Sequence, residues 1–432
     1  MGNWRFDRNK LLIGTYCLKE YAFSEAHVRM LADAGIDYIC SAPADRALLD
    51  RCQKYGLGVF AAGILPAWWG GDGERAGGLS EAAPVSSYEE AAERFADHPA
   101  IWGLDMGDEP SALDFPHYGK LFEAMARLFP DHFPYLNLYP NYASVAWNTD
   151  TQTVNQLGTA TYPEHIARYT ECIDSDYICY DHYMYSKTVS GAYENLRVVA
   201  DRCRETGRDM WIVLQVNSLW PEKWVTLPQL RHQAYTALAF GARAINWACW
   251  TAGWWSNQVL DDQGKPTEQY GKLCIMNREL HALSGRYMKY RNISTHFLGF
   301  GEDSEHIRTV EQAAEKTLSA GSFRAVRAED GCAAVVGYLK SEEGGEALMI
   351  ADATDPLDLN ADGKGPRSVP CADGTTEAAA WTLTFRVDNP ALTPVVMVNG
   401  LPWKALKTGE GEYAVRIEHC AGVLIELKPN GV

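Results

Sequence analysis

The sequence predicts an α/β fold class, a (β/α)8 TIM barrel followed by an all-β sandwich domain. The chain has 432 residues, which is more than the roughly 250 to 300 residues that a single hydrophobic core usually serves. Up to about residue 288, β-branched or aromatic runs alternate with amphipathic helical segments, and beyond it short alternating runs are separated by Gly, Asp and Pro. We therefore expect a catalytic barrel at residues 1–288 and an antiparallel β-sandwich at residues 289–432.

The first part of the chain contains eight apolar runs that are typical of buried strands: Leu11–Cys17, Tyr38–Ala42, Gly58–Ile64, Ile101–Gly107, Tyr135–Tyr139, Tyr177–Tyr183, Met210–Val216 and Ala244–Trp250. Helical patterns lie between and after them: Glu25–Ala34, Ala47–Lys54, Tyr88–Ala96, Tyr118–Leu128, Glu164–Ile173, Tyr193–Glu205, Leu230–Phe240 and Gln269–Leu283. This number and order of elements fits a closed barrel. An open doubly wound sheet is the alternative, but Gly14-Thr15-Tyr16-Cys17 after the first strand has only one glycine, unlike a dinucleotide-binding loop.

The second part of the chain has the pattern of an antiparallel sandwich. Its predicted strands are Ala333–Tyr338, Ala347–Ala351, Ala380–Val387, Val395–Val398, Tyr413–Ile417 and Val423–Leu427. The segment Asp355–Thr376 is rich in Asp, Gly and Pro, and we expect a long surface loop there.

Composition and charge exclude several classes of function. The net charge is −17, so a basic surface for nucleic acid is not expected. The chain shows no signal peptide and no run of about 18 apolar residues, so we expect no membrane contact and a cytoplasmic location, unless a leader has been removed. The 11 cysteines are scattered singly, which favours reduced core residues over disulfides or zinc sites. The oligomeric state, including a homo-oligomer, stays open.

Tryptophan is concentrated in the predicted barrel. Of 14 tryptophans, 12 precede residue 290, and many stand in polar or Gly-rich connections: Trp68, Trp69, Trp147, Trp220, Trp224, Trp250, Trp254 and Trp255. Rigid anchoring of loops explains some of them. A cluster of this kind in loops is more typical of a cleft in which sugar rings stack on indoles.

Carboxylates stand at the end of the fourth predicted strand, the end at which barrel enzymes hold their active sites. The sequence there is Trp102-Gly103-Leu104-Asp105-Met106-Gly107-Asp108-Glu109-Pro110. Strand alternation puts Asp105, Gly107 and Glu109 on one face. A salt-bridge cluster at the rim is the alternative to a catalytic role.

Gly-Asp-Glu-Pro at this strand end resembles the Asn-Glu-Pro motif of clan A glycoside hydrolases, with Asp108 in place of Asn. The stretches Tyr180–Tyr185 and Ala244–Trp250 resemble the clan's sixth and eighth strand ends. The segment Asp261–Thr267 and the last strand resemble barrel glycosidases of the family forty-two type, which are β-galactosidase-like proteins with a C-terminal β-domain. The resemblance implies that Glu109 is the general acid. A carboxyl beside Asp108 is expected to have a raised pKa, which would keep it protonated for that role.

One position departs from the clan. Its nucleophilic glutamate ends the seventh strand, where this chain has Gln215, and an amide is a poor nucleophile. In one interpretation Asp181 supplies the second carboxylate, which activates water with its carboxyl beyond about 6 Å from that of Glu109 and inverts the anomeric centre. Alternatively, Asp108 and Glu109 form a substrate-assisted pair, as in N-acetylhexosaminidases. In a third interpretation the scaffold is inactivated, naturally or by engineering, and only binds sugar.

Further polar and aromatic residues fall where sugar contacts are expected. The predicted substrate-binding residues are Tyr16, Trp68, Asn137, Tyr139, His182, Tyr183, Gln215, Trp250 and Trp254. No metal-binding pattern such as H-x-H or H-E-x-x-H occurs, so neither a catalytic metal nor another cofactor is expected. Without a G-x-S-x-G motif, a serine hydrolase is disfavoured.

Together these features predict an enzyme, a glycosidase with a carbohydrate substrate. Its long aromatic loops favour exo action on a short oligosaccharide or glycoside. The alternatives are a carbohydrate-binding protein on an inactivated scaffold and a substrate-assisted N-acetylhexosaminidase.

Overall fold

The computed structural model describes residues 4–66, 68–70, 75–143, 156–251, 255–302, 304–310, 312–353, 368–370, 376–378, 380–418 and 421–430. Eight strands form the first sheet: β1 (Leu12–Thr15), β2 (Tyr38–Pro43), β3 (Gly58–Ala62), β4 (Ile101–Asp108), β5 (Phe133–Asn137), β6 (Tyr177–His182), β7 (Asp209–Gln215) and β8 (Ala242–Ala248). Their order is β5-β4-β3-β2-β1-β8-β7-β6. A parallel bridge between Leu138 and Tyr180, just beyond β5 and within β6, joins the two ends of the sheet. The predicted barrel is confirmed.

Helices surround this sheet: α1 (Glu25–Asp33), α2 (Arg46–Tyr55), α3 (Leu79–Ala82), α4 (Val85–Arg94), α5 (Phe115–Leu128), α6 (Tyr162–Cys172), α7 (Val189–Thr206), α8 (Leu227–Ala239) and α9 (Glu268–Tyr287), with a 3-10 turn at Glu20–Phe23. Local sequence sets several of their ends. Thr161 and Thr226 form capping boxes at the start of α6 and α8, and Gly56 ends α2 in the left-handed conformation. None of the described helices combines the length and the apolar character needed to cross a bilayer.

The interior of the barrel is filled by aromatic rings. Phe133 stacks on Trp211 with ring centroids 4.7 Å apart, and Phe60 lies 5.4 Å from Phe133. Tyr38 stacks on Phe60 at 4.6 Å. This layer fills the middle of the barrel and separates the carboxyl ends of the strands, where barrel enzymes hold their sites, from the amino ends.

The second half of the chain is β-rich, with β9 (Tyr290–Leu298), one helix α10 (Glu305–Val310), and β10 (Leu318–Ala320), β11 (Phe323–Ala328), β12 (Ala334–Ser341), β13 (Glu346–Asp352), β14 (Ser368–Pro370), β15 (Thr376–Ala378), β16 (Ala380–Val387), β17 (Leu392–Val398), β18 (Leu401–Trp403), β19 (Leu406–Gly409), β20 (Glu412–Glu418) and β21 (Gly422–Pro429). Two antiparallel sheets result, β18-β17-β21-β13-β12-β9 and β10-β11-β16-β20-β19. They enclose a second apolar core between them, which confirms the predicted sandwich.

The predicted loop at 355–376 lies mostly outside the described residues. Within its described part, Ser368–Pro370 is a strand, β14, which pairs with β15 in a small antiparallel ladder. That part of the loop prediction is wrong, because Val369 and Pro370 follow the Gly- and Pro-rich stretch as a short extended run.

The six-stranded sheet packs directly on the barrel helix α8. A Cβ atom at Gly337 of β12 would lie 2.1 Å from the carbonyl oxygen of Ala239, and one at Gly422 of β21 would meet the ring of Tyr235. Glycine is needed at both positions for this close approach. Helix α9 ends at Tyr287 and β9 begins at Tyr290, and the independence of the two domains stays a prediction.

Candidate active site

A cavity of about 520 Å³ opens at the carboxyl ends of the barrel strands. Its lining residues come from most of the strand ends: Tyr16, Cys40, Ser41, Trp69, Gly107, Asp108, Glu109, Tyr135, Asn137, Asp181, Tyr183 and Val213. The three acids that the sequence singles out are therefore brought together in one cavity. Among the described lining residues none is Lys, Arg or His, so the cavity is acidic.

The end of β4 holds two of the acids through backbone contacts on both sides. The Asp108 N–H donates to the carbonyl of Trp68, and the Glu109 N–H donates to the carbonyl of Asn137, both at 2.9 Å. Glu109 has a φ of +45°, a left-handed conformation that is strained for any residue other than glycine. The surrounding structure must hold Glu109 in this conformation. The neighbouring segments thus fix the direction of the Glu109 side chain.

The predicted alternation along β4 is wrong at its end. The pairing of β4 with β5 shifts register between Asp105 and Gly107, so the strand carries a bulge there. As a result Asp108 and Glu109 both line the cavity, whereas Asp105 lies outside the lining and accepts a hydrogen bond from the Gly107 N–H at 3.1 Å. Burial raises the pKa of Asp105 to about 6.

Asn137, at the end of β5, bridges two of the acids. Its Nδ2 donates to Oδ1 of Asp108 at 3.0 Å and to Oδ1 of Asp181 at 2.9 Å. Both carboxyl groups are therefore held on one amide nitrogen. The sequence predicts Asn137 as a sugar-binding residue, and the structure places it in the cavity wall with its amide hydrogens engaged by the acids.

Glu109 and Asp181 line the same cavity, close enough for a hydrogen bond and the charge of Asp181 to contribute to the raised pKa of Glu109. The predicted separation beyond about 6 Å, with water between the two carboxyl groups, does not fit such a contact. In the closed barrel β5 lies between β4 and β6, so the two acids approach each other across the end of one strand.

Burial and crowding raise the pKa values of all three acids. Burial is the largest cause of the raised pKa of Glu109, followed by the charges of Asp181 and Asp108. Burial and then the charge of Asp108 raise the pKa of Asp181 to about 7. The pKa of Asp108 is raised by desolvation, and its hydrogen bond from Asn137 opposes the shift. Burial and mutual repulsion therefore favour the protonated forms of these acids over the ionised ones.

Tyrosines complete the wall around Asp181. Tyr16 and Tyr183 both line the cavity, as predicted, and their hydroxyl groups lie 2.6 Å apart. The Tyr142 hydroxyl donates to Oδ2 of Asp181 at 3.5 Å, and the Lys187 ammonium lies 4.7 Å from the Tyr142 ring. Tyr142 is a contact that the sequence did not single out, although it lies close along the chain to Asn137 and Tyr139, which it did.

Trp69, and not Trp68, faces the cavity. Trp69 is 54% exposed, and its Nε1–H donates to Oε2 of Glu109 at 3.2 Å. Trp68 is only 4% exposed and lies under the guanidinium of Arg75, 4.2 Å from the ring centroid. The prediction of Trp68 as a substrate-binding residue is wrong, because the two neighbours in the chain point to opposite sides of the loop.

Three other predicted substrate-binding residues lie outside the cavity lining. Tyr139 is buried beside His165, and Trp250 is fully buried against Tyr270. His182 packs edge-on against Tyr142, and burial, aided by Lys187, lowers its pKa to about 3, so its ring is neutral. These three side chains are therefore packed behind the cavity wall and do not line the cavity. Trp254 lies outside the described residues.

Gln215, at the end of β7, makes hydrogen bonds to groups of the protein itself. Its Oε1 accepts from the Tyr185 N–H at 3.0 Å, and its Nε2 donates to Ser186 Oγ and to the Asn217 carbonyl, both at 2.8 Å. The side chain is buried and does not line the cavity. The predicted contact of Gln215 with a sugar hydroxyl is therefore wrong for this structure.

The remaining lining residues were not predicted. Cys40, Ser41 and Tyr135 come from positions in β2 and β5 that their sequence neighbours do not distinguish from core. In the part of the chain that the structure describes, no three His, Cys, Asp or Glu side chains are arranged as a metal site.

Comparison with known proteins shows a similarity of fold. No family model and no curated protein matches the chain. Solved structures do: a proposed alpha-galactosidase from Bacteroides fragilis is 11% identical with a TM-score of 0.49, covering 98% of this chain and 80% of its own. A family 51 alpha-L-arabinofuranosidase from Bifidobacterium longum is 10% identical with a TM-score of 0.42, covering 99% and 97%. The catalytic module of a family 98 glycoside hydrolase from Streptococcus pneumoniae is 9% identical with a TM-score of 0.43, covering 98% and 100%.

Proposed function

We propose that the protein is a glycoside hydrolase in which Glu109 is the general acid and Asp181 is the second catalytic carboxylate. The observation that carries the proposal is the contact between these two carboxyl groups inside the acidic cavity. Hydrolysis of a glycosidic bond needs one carboxyl group that gives a proton and one that is ionised. A pair that shares one proton supplies both forms.

The proton belongs on Glu109. Its pKa is raised by burial and by two acidic neighbours, and it is placed next to the rim where Trp69 is exposed. Asp181 accepts hydrogen bonds from Asn137 and Tyr142, which favour its charged form. In this assignment Glu109 protonates the leaving oxygen while the Asp181 carboxylate faces the anomeric carbon.

The short distance between the two carboxyl groups favours retention. Retaining glycosidases hold their carboxyls about 5 Å apart, and inverting enzymes separate them by roughly 6.5 to 9.5 Å to admit a water. Two carboxyls in direct hydrogen bond are nearer the first arrangement. We therefore propose that Asp181 attacks the anomeric carbon and that water, activated by Glu109, then hydrolyses the glycosyl ester.

The substrate is proposed to be a short oligosaccharide or a simple glycoside, cleaved from its end. A cavity of about 520 Å³ is in the range that holds a small ligand. The exposed indole of Trp69 at the rim offers a face on which a sugar ring can stack. With no cationic side chain among the described lining residues, neutral sugars suit the cavity better than acidic ones.

Turnover of a panel of aryl glycosides and oligosaccharides tests the proposal. Wild type is compared with Glu109→Gln, Asp181→Asn and Glu222→Gln, the last an exposed acid outside the cavity. Loss of hydrolysis in the first two variants alone supports the assignment. Calorimetric sugar binding with no turnover of any substrate would instead indicate a carbohydrate-binding protein.

Proton NMR of the first product anomer separates the mechanisms. Retention on a sugar without an acetamido group supports Asp181 as the nucleophile. Inversion would make Asp181 the base that activates water. Cleavage of 2-acetamido sugars alone, with retention, would move the second role to Asp108 and to the substrate itself.

A further inference from the structure

Two cysteines meet where the barrel closes beside the cavity. Cys17 follows β1, and Cys249 follows β8, the neighbouring strand. The Trp250 N–H donates to the Tyr16 carbonyl at 3.0 Å, and the Thr251 N–H donates to the Cys17 carbonyl at 2.9 Å. The two cysteines thus stand on adjacent segments that hydrogen bonds join, with Cys17 in the left-handed conformation (φ +59°).

Their side chains meet in one cluster. Cys249 belongs to the apolar cluster inside the barrel and Cys17 packs against that cluster, and both cysteines are free thiols. Adjacent strands are about 4.8 Å apart, which falls within the Cα separation of about 4.4 to 6.8 Å that a disulfide spans. Cys249 is fully buried, whereas Cys17 is partly exposed and can be reached by a small reagent.

The pair is connected to the acids of the cavity. Cys17 directly follows Tyr16, which packs against the same cluster as Cys249, and the Tyr16 hydroxyl lies 2.6 Å from the hydroxyl of Tyr183. Tyr16 and Tyr183 line the cavity together with Asp181. A change at Cys249 therefore acts directly on this wall.

We propose that Cys17 and Cys249 are a modification site, at which hydrogen peroxide forms a disulfide that displaces Tyr16 and lowers the activity of the cavity. Formation of the disulfide does not depend on which reaction the cavity performs. The predicted loss of turnover does depend on it, and that part of the proposal rests on the proposed glycosidase function.

The chemistry balances with peroxide as the oxidant. The Cys17 thiolate attacks one peroxide oxygen, the O–O bond breaks, and Cys17 becomes a sulfenic acid as water leaves. The Cys249 sulfur then attacks the Cys17 sulfur, the S–O bond breaks, and the hydroxide leaves as water with the Cys249 proton. Two thiols lose two electrons and two protons, and one peroxide becomes two waters. Burial raises the pKa of Cys249, so the partly exposed Cys17 is the first to react.

Peptide mapping of the full-length protein tests bond formation. After peroxide treatment, free thiols are blocked in denaturant and the protein is digested without reduction. We expect a linked peptide pair containing Cys17 and Cys249, and two fewer thiols than the 11 of the reduced chain. Cys17→Ser should form no such link, while Cys274→Ser, a partly exposed cysteine on α9, should behave as wild type. Recovery of Cys17 as a sulfinic acid, or of both thiols unreacted, would overturn the proposal.

Turnover of a hydrolysed glycoside tests the connection to the cavity. Oxidised wild type should lose roughly tenfold in kcat/KM, the scale on which a small displacement of a positioning group acts, and dithiothreitol should restore it. Cys17→Ser should keep its rate under peroxide. A linked protein with unchanged kcat/KM would refute the effect on Tyr16 but not the bond. Absence of turnover in the untreated protein would refute the proposed function instead, and the peptide map would still decide whether the bond forms.

Discussion

The carboxyl groups of Glu109 and Asp181 face one cavity, where the charge of Asp181 and a hydrogen bond to it contribute to the raised pKa of Glu109. Two ionised carboxylates only accept hydrogen bonds, so a hydrogen bond between these groups needs a proton on one of them. Burial raises the pKa of both groups, and each carries the influence of the neighbouring Asp108. The two groups therefore lose their protons in two coupled steps, neither of which can be assigned to one residue alone. In the singly protonated form, one carboxyl group can donate a proton while the other, ionised, can attack the anomeric carbon.

Glu109→Gln should lower kcat by at least about 10²-fold on a substrate with a poor leaving group, because such a leaving oxygen needs a proton. KM should change little, since the amide fills the same space. Steady-state kinetics measure both constants, and Glu222→Gln serves as the control. An unchanged kcat on the poor leaving group would remove Glu109 from its role, whereas an aryl substrate with a very good leaving group needs little protonation and should be less affected.

Asp181→Asn should stabilise the protein at alkaline pH. The pKa of Asp181 is raised from 3.8 to about 7 in the folded chain, so between these values the folded state binds more protons than the unfolded state. The free energy of unfolding contributed by this group therefore falls as the pH rises through that window. Asparagine does not ionise, and the Tm of the variant should exceed that of wild type by on the order of 5 °C at pH 8.

Thermal unfolding followed by circular dichroism from pH 4 to pH 8 checks this difference. The gain in Tm should shrink toward pH 4, where Asp181 is protonated in the folded state and close to half protonated in the unfolded state. Asp262→Asn, on a surface carboxyl that is 84% exposed, should show no such pH-dependent gain. A Tm difference for Asp181→Asn that does not vary with pH would contradict the raised pKa.

Trp69→Phe should move the alkaline limb of the kcat/KM profile to higher pH. The indole N–H donates to Oε2 of Glu109, and this hydrogen bond lowers the pKa of that acid. Phenylalanine keeps a ring for stacking but cannot donate, so the Glu109 pKa should rise further. Trp69→Ala should in addition raise KM several-fold, because the stacking face is lost.

Trp68→Phe is the matched control for that prediction. Trp68 is buried under Arg75 and makes no contact with Glu109 that the structure describes. The alkaline limb of the kcat/KM profile of Trp68→Phe should lie at the same pH as that of wild type. If Trp69→Phe leaves the limb unmoved as well, the indole does not tune Glu109.

The sequence predicts the barrel well because strand and helix periodicity are local properties. The eight predicted strands overlap the eight observed ones, and the rule that barrel sites lie at the carboxyl ends of strands leads directly to Glu109 and Asp181. Acids are informative there, since their burial is costly without a purpose.

The details of the wall depend on contacts between distant segments and were therefore not predictable. Trp68 and Trp69 are identical in residue type, and only the bridge between Trp69 and Asp108 decides which one faces the cavity. The bulge in β4 is likewise set by its pairing with β5, and it brings Asp108 to the cavity against simple alternation.

Gln215→Glu should destabilise the protein without increasing its activity. In the clan that the sequence resembles, this position holds the nucleophile, so restored or higher activity would be expected if Gln215 were merely an inactivated nucleophile. The structure favours the opposite result. The Gln215 Nε2 donates to the Asn217 carbonyl and to Ser186 Oγ, and a carboxylate oxygen in its place would face the lone pairs of that carbonyl.

The cost of this substitution should be at least about 1 to 3 kcal/mol, the penalty for a buried polar group without its partner. It should appear as a lower Tm, with kcat/KM equal to or below that of wild type. Gln215→Met separates the effect of the lost hydrogen bonds from the effect of the buried charge. Methionine is similar in size and uncharged, so it loses the hydrogen bonds but buries no charge. At pH 8 it should therefore be less destabilised than Gln215→Glu. A rise in kcat/KM in Gln215→Glu would show that the side chain at 215 can reach the anomeric carbon, and it would transfer the nucleophilic role from Asp181 to that position.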